Sequence, residues 1–175
     1  MSRLGWERIG DSSVMRVYKE MTFLAGETHS ILLHLPADTV EYAYGVSIET
    51  GQSQGTSFRI EASTLVTVNS LGTPILNIGA VNGLHGIPAR TLAYYDSDVT
   101  FLTGPGIPDT FVTLLGTGAG QSKFEPFSQD GTPLAILPNN TYFFLQATDT
   151  QNSAGTYFVS FLIDEVQLPA SSHQL

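Results

Sequence analysis

The chain has no cysteine, little charge, few basic residues and no long apolar run. Each absence removes a class of chemistry. Without cysteine there is no disulfide, no thiolate nucleophile and no cysteine metal site. Only 13% of the 175 residues are charged, about half of the roughly 25% usual for globular chains. Ser, Thr, Asn, Gln and Gly must therefore cover much of the surface. Seven Lys and Arg stand against 16 Asp and Glu, a net charge of −9, which disfavours nucleic-acid binding through a broad basic face. No apolar stretch approaches the roughly 18 residues of a membrane helix, so no membrane partner is expected. Met1–Arg8 lacks the apolar centre of a secretory signal. The expectation is a soluble chain made in the cytoplasm of its host. Helix signals are missing too, since no segment combines a 3.6-residue period with an N-cap and a C-cap glycine.

What is present is alternation. Hydrophobic residues make up 42% of the chain, a globular share that fits one domain with its own core. In Val40–Glu49, Val40, Tyr42, Tyr44, Val46 and Ile48 alternate with Glu41, Ala43, Gly45, Ser47 and Glu49. Successive strand side chains point to opposite faces, so this period of two describes a strand with one dry and one wet side. The same pattern predicts strands at Val14–Phe23, Thr28–Leu35, Ser57–Ser63, Thr91–Phe101, Phe111–Leu115, Leu134–Leu137, Thr141–Thr148 and Thr156–Val166. Leu65–Val68 reads as an extension of the fourth strand, and Lys123–Phe127 as an edge segment. Ala25-Gly26-Glu27, Pro36-Ala37-Asp38, Gly51–Gly55 and Pro138-Asn139-Asn140 punctuate them as turns. Residues 64–90 carry Gly72, Pro74, Gly79, Gly83, Gly86 and Pro88, which predicts a long irregular loop of the kind used for contacts. The expected architecture is all-β, a single antiparallel β-sandwich over residues 14–167. An extended N-terminal arm, 1–13, and a C-terminal tail, 168–175, flank it.

Reactive constellations are hard to assemble from these residues. His29 and His34 lie five apart on one predicted strand, so they face opposite ways and cannot act as a metal-binding pair. His85 falls in the long loop and His173 in the tail, and all four histidines read as unrelated. Asp96 and Asp98 would share a strand face, but the glycine and glutamate of a calcium loop do not follow. Gly116–Lys123 is glycine-rich, yet its lysine follows serine and no helix follows, so it reads as a hairpin loop. No catalytic residue, metal ligand or cofactor site is assigned, and the chain is not expected to be an enzyme.

The order of motifs in the second half is similar to that of a known group. Gly72-Thr73-Pro74-Ile75 leads to a Gly/Asn loop and Ala89-Arg90-Thr91. Asp98-Val99-Thr100-Phe101, Leu114–Gly118, Leu137–Phe144 and Phe158–Glu165 follow. With the opening Tyr18–Leu35 segment, this resembles the small β-sandwich cement, or decoration, proteins of tailed bacteriophages. It departs from them at Asn77–Pro88, where those proteins often carry a more polar, Asn/Arg-rich segment. The resemblance implies a jelly roll on the outer surface of the virion. Its partners would be the major capsid protein and other copies of itself, as a homodimer or homotrimer, and its work would be to bridge capsid subunits and stabilise the shell.

Charge distribution suggests where such contacts fall. Residues 1–19 carry four basic residues against two acidic ones, a net +2, which leaves −11 for the remainder. Arg3, Trp6, Arg8, Arg16 and Lys19 are the expected capsid-binding residues, because arginine and tryptophan are favoured interface anchors. Asn77, Asn82, His85 and Arg90, in the Leu71–Arg90 loop, are a second expected contact with the capsid or a sister subunit. The alternative is a carbohydrate- or receptor-binding jelly-roll module of a phage tail or fibre. An exposed aromatic row beside a groove would favour it.

Overall fold

The computed structural model describes residues 14–37, 39–50, 57–76, 78–80, 89–102, 111–116, 135–137, 140–150 and 155–167. The predicted arm and tail, and Lys123–Phe127, lie outside the described residues. Thirteen strands are described: β1 Val14–Phe23, β2 Thr28–His34, β3 Thr39–Thr50, β4 Ser57–Ser63, β5 Val66–Ser70, β6 Thr73–Pro74, β7 Ile78–Ala80, β8 Leu92–Tyr95, β9 Asp98–Phe101, β10 Phe111–Gly116, β11 Ala135–Leu137, β12 Tyr142–Asp149 and β13 Gly155–Gln167. They form a five-stranded sheet, β11-β3-β13-β1-β7, a six-stranded sheet, β10-β4-β12-β2-β8-β6, and a small ribbon, β5-β9. Every pairing is antiparallel. The all-β sandwich read from the sequence is the fold.

Alternation explains the core between the two sheets. Met15, Val17, Met21 and Phe23 of β1 face it, as do Tyr157, Val159 and Ile163 of β13. Ile31, Leu33, Phe58, Ala62, Leu145 and Ala147 meet them from the six-stranded sheet. At the centre, Phe23, Phe58 and Tyr157 pack edge-to-face with centroids 4.7–5.6 Å apart. That geometry sets the positive ring edge against the negative ring face.

Two segments depart from simple alternation. Leu32 and Phe144 are cross-strand partners on the other side of the six-stranded sheet, yet both are buried. The Phe101 ring of the ribbon meets Phe144 edge-on at 5.3 Å, so the ribbon adds a partial third layer. This is why Ile31-Leu32-Leu33 and Phe143-Phe144-Leu145 are unbroken apolar triplets, as strands covered on both faces should be. On the other sheet, β3 places Tyr44 and Gly45 where β13 places Leu162 alone, a bulge that interrupts the ladder.

The described part of the predicted loop after β4 contains strands that its glycines and prolines do not suggest. Residues 66–70 form β5, a strand of the ribbon separate from β4. Thr73–Pro74 pairs β8 at the edge of one sheet, and Ile78–Ala80 pairs Met15–Val17 of β1 at the edge of the other. Thr91–Phe101 is two strands, not the one expected. β8 belongs to the six-stranded sheet and β9 to the ribbon, with a sharp break at Asp96.

Candidate functional site

A cluster of titratable side chains lies at that break, and β1, β2 and the β8–β9 turn build it. The chain crosses from one sheet to the other between β1 and β2. Gly26 takes the left-handed φ of 75° that this corner requires, and the Glu27 N–H donates to the Leu24 carbonyl at 3.0 Å. The Glu27 carboxylate returns to accept the Leu24 N–H at 2.7 Å. His29 follows on β2 with its ring edge-on to Phe23 at 4.7 Å.

Asp96 meets it from the other side. Its φ of 51° is left-handed, a conformation that Asp tolerates better than most residues. The Asp96 N–H donates to the Ser30 carbonyl at 3.0 Å, and the Ser30 N–H donates to Asp96 Oδ1 at 3.0 Å. The carboxylate thus continues the β2–β8 ladder where the backbone has turned away. Gly72 packs on the same turn. Its N–H donates to Ser97 Oγ at 3.1 Å, and a Cβ there would overlap the Tyr95 carbonyl oxygen and lie 2.6 Å from the Asp96 carbonyl carbon.

His29 is gripped at both ring nitrogens. Nδ1 lies 2.9 Å from Asp96 Oδ2 and 2.7 Å from the Tyr95 hydroxyl, and Nε2 lies 3.1 Å from the Thr22 carbonyl. Glu27 Oε2 is 3.4 Å from Nε2. The Tyr95 ring stacks on the imidazole at 5.3 Å, and Lys19 Nζ sits 4.6 Å from the Tyr95 centroid. Burial first, then the neighbouring Asp96 charge and its hydrogen bond, then Glu27, push the Tyr95 phenol well above the ordinary tyrosine range. Tyr95 therefore stays a neutral O–H donor. Each imidazole nitrogen is thus held by the fold, Nδ1 by Asp96 and Tyr95 and Nε2 by Thr22. The arrangement fastens chain segments together.

Of the residues expected to make contacts, the described ones are dispersed. Arg3, Trp6, Arg8, Asn77, Asn82 and His85 lie outside the described residues. Arg16 is exposed on β1, three positions from Lys19 and on the opposite face of the strand. Lys19 rests on Tyr95, so the two do not form one basic patch. Arg90 is exposed, and its N–H and that of Thr91 donate to the Glu165 carboxylate at 3.1 and 3.0 Å, which pins the chain at the end of the 71–90 segment to β13.

The histidine and aspartate expectations need correction. His29 and His34 do face opposite ways: His29 joins the cluster, and His34 stacks on Tyr142 at 4.5 Å. His29 is nevertheless not an unrelated surface histidine, because its principal partner lies 67 positions away. Asp96 and Asp98 do not share a strand face. Asp96 occupies the break, while Asp98 begins β9 and accepts from Asn69 Nδ2 at 3.2 Å. No sequence motif linked His29 to Asp96. The available cue was an aspartate, a residue tolerant of positive φ, within a stretch otherwise suited to strand. The chain matches no protein-family model and no curated protein.

Proposed function

We propose that the protein is a non-enzymatic virion component, a head cement or decoration protein that binds the outer capsid surface of a tailed phage and bridges major capsid subunits. The observation that carries this reading is the strand order. One sheet contains the run β1-β13-β3-β11 and the other β2-β12-β4-β10. The first strand pairs with the last and the second with the last but one, an order that the two nested Greek keys of a jelly roll would give. This order supports the jelly roll that the motif resemblance implies. The long β4–β10 connection supplies extra strands at one edge of each sheet. The low charge density suits a surface that meets protein neighbours, and a standard contact buries on the order of 800 Å² per partner. Repetition over a lattice multiplies even a modest contact.

The arm supplies the grip in this reading, with Arg3, Trp6 and Arg8 as anchors, and the 71–90 segment is the second contact. Deleting residues 2–13 and adding the protein to undecorated heads tests the arm. Lost occupancy and lost protection of the heads are expected, and unchanged occupancy would refute the arm's role.

One observation favours the glycan-binding alternative. On the outer face of the five-stranded sheet, Tyr18 and Phe158 lie nearly parallel, 12° apart with centroids at 5.6 Å, between exposed Arg16 and Glu20. Aromatic faces of this kind stack on sugar rings. Saturable oligosaccharide binding that Tyr18→Ala abolishes would support this second reading.

A further inference from the structure

We propose that His29, Asp96 and Tyr95 form a proton-gated clasp, which fastens the 66–101 insertion to the corner between β1 and β2 when the imidazole is protonated and loosens it when the proton leaves. The argument begins with donors and acceptors. The Thr22 carbonyl and the Asp96 carboxylate can only accept hydrogen bonds. They lie 3.1 Å from Nε2 and 2.9 Å from Nδ1. Engaging both at once requires a proton on each nitrogen. In that state His29 donates from Nδ1 to Asp96 and from Nε2 to Thr22, and the Tyr95 hydroxyl donates to Asp96.

Removing one proton to water changes one side only. Nε2–H keeps its bond to Thr22, and Nδ1 becomes an acceptor. The Tyr95 hydroxyl, 2.7 Å away, can rotate its hydrogen from Asp96 to Nδ1. No covalent bond beyond that N–H is broken. Asp96 loses both side-chain donors together and faces a lone pair at 2.9 Å. Only the Ser30 N–H still binds its side chain. Asp96 holds a left-handed backbone and its side chain is 43% exposed, so it is the member free to move. Gly72 rests on the same turn, so loosening Asp96 loosens the insertion's entry onto the six-stranded sheet.

Groups from several elements face His29. Glu27 from the corner and Asp96 from the β8–β9 turn are acidic, Tyr95 from the same turn is neutral, and Phe23 from β1 is apolar. Lys19 of β1 is the cation, and it lies against the Tyr95 ring. Asp149, farther along the corner, accepts from the Gly26 N–H at 3.4 Å. The clasp is therefore complete when the ring carries both protons and weakens when one leaves.

Hydrogen exchange of the Ser30, Asp96 and Gly72 amides, expressed as protection factors at about pH 5.5 and about pH 8, tests this. The wild-type chain should lose protection at these amides by about tenfold between the two conditions. His29→Gln and Asp96→Asn, which keep hydrogen bonding but remove the proton switch, should show little change. Equal losses in wild type and His29→Gln, or no loss in wild type, would overturn the proposal. Nitrogen NMR of the wild-type His29 ring decides independently of any variant. A proton on both nitrogens in acid and on Nε2 alone in base is expected, whereas a proton on Nδ1 alone in base would contradict the gate.

Discussion

Tyr95 shows how one side chain couples packing to electrostatics. Its hydroxyl is partly buried beside Asp96, so the folded chain holds the phenolic proton more tightly than the unfolded chain does. The resulting contribution to stability is complete below the titration of an unfolded tyrosine, about pH 10, and is lost as pH rises above it. Above that pH, wild type should therefore lose thermal stability more steeply than Tyr95→Phe, and a melting series against pH checks this. Phe58 tests the core. It is 1% exposed and meets both Phe23 and Tyr157 edge-to-face. Phe58→Ala removes those contacts and leaves a cavity, so denaturant unfolding should report a loss of about 3–5 kcal/mol. Gly72 is constrained by backbone instead of φ preference. Because a Cβ would run into the Tyr95 carbonyl and the Asp96 peptide, Gly72→Ala should destabilise the protein by about 1–3 kcal/mol.

At the scale of elements, much of the fold was legible because one face of each long strand is dry. β1 and β4 begin and end where the alternation does, at Val14–Phe23 and Ser57–Ser63. The illegible elements lack that signal. β6 and β7 are two and three residues long, too short to show a period, and exist because neighbouring strand edges pair with them. β8 and β9 appeared as one strand because both are apolar-rich, and the break between them depends on one backbone angle at Asp96. The His29–Asp96 contact joins distant positions, so local sequence carried no trace of it. Glu165 provides a test of how the insertion is held. Its carboxylate accepts the backbone N–H groups of Arg90 and Thr91, inside the insertion. Glu165→Ala should cost about 1.5–3 kcal/mol and speed proteolysis between residues 66 and 101, while cleavage elsewhere stays slow. Phe101→Ala should release the ribbon from Phe144 and raise exchange at β5 and β9 with little effect on β13.

For the whole molecule, a sandwich with a nested strand order, an acidic body and an expected basic arm is suited to adhesion. Its conspicuous histidine–carboxylate cluster binds the chain to itself. The nested strand order supports the phage-cement reading, and the Tyr18–Phe158 pair supports a glycan-binding rival on the same scaffold. Fold alone does not choose between them, because jelly rolls serve both tasks. Stoichiometry does. The most direct measurement is the number of copies per purified particle, by quantitative mass spectrometry against the major capsid protein. Cement predicts a copy number that scales with the capsid lattice. A handful of copies located at the tail, or none in the particle, would contradict the account.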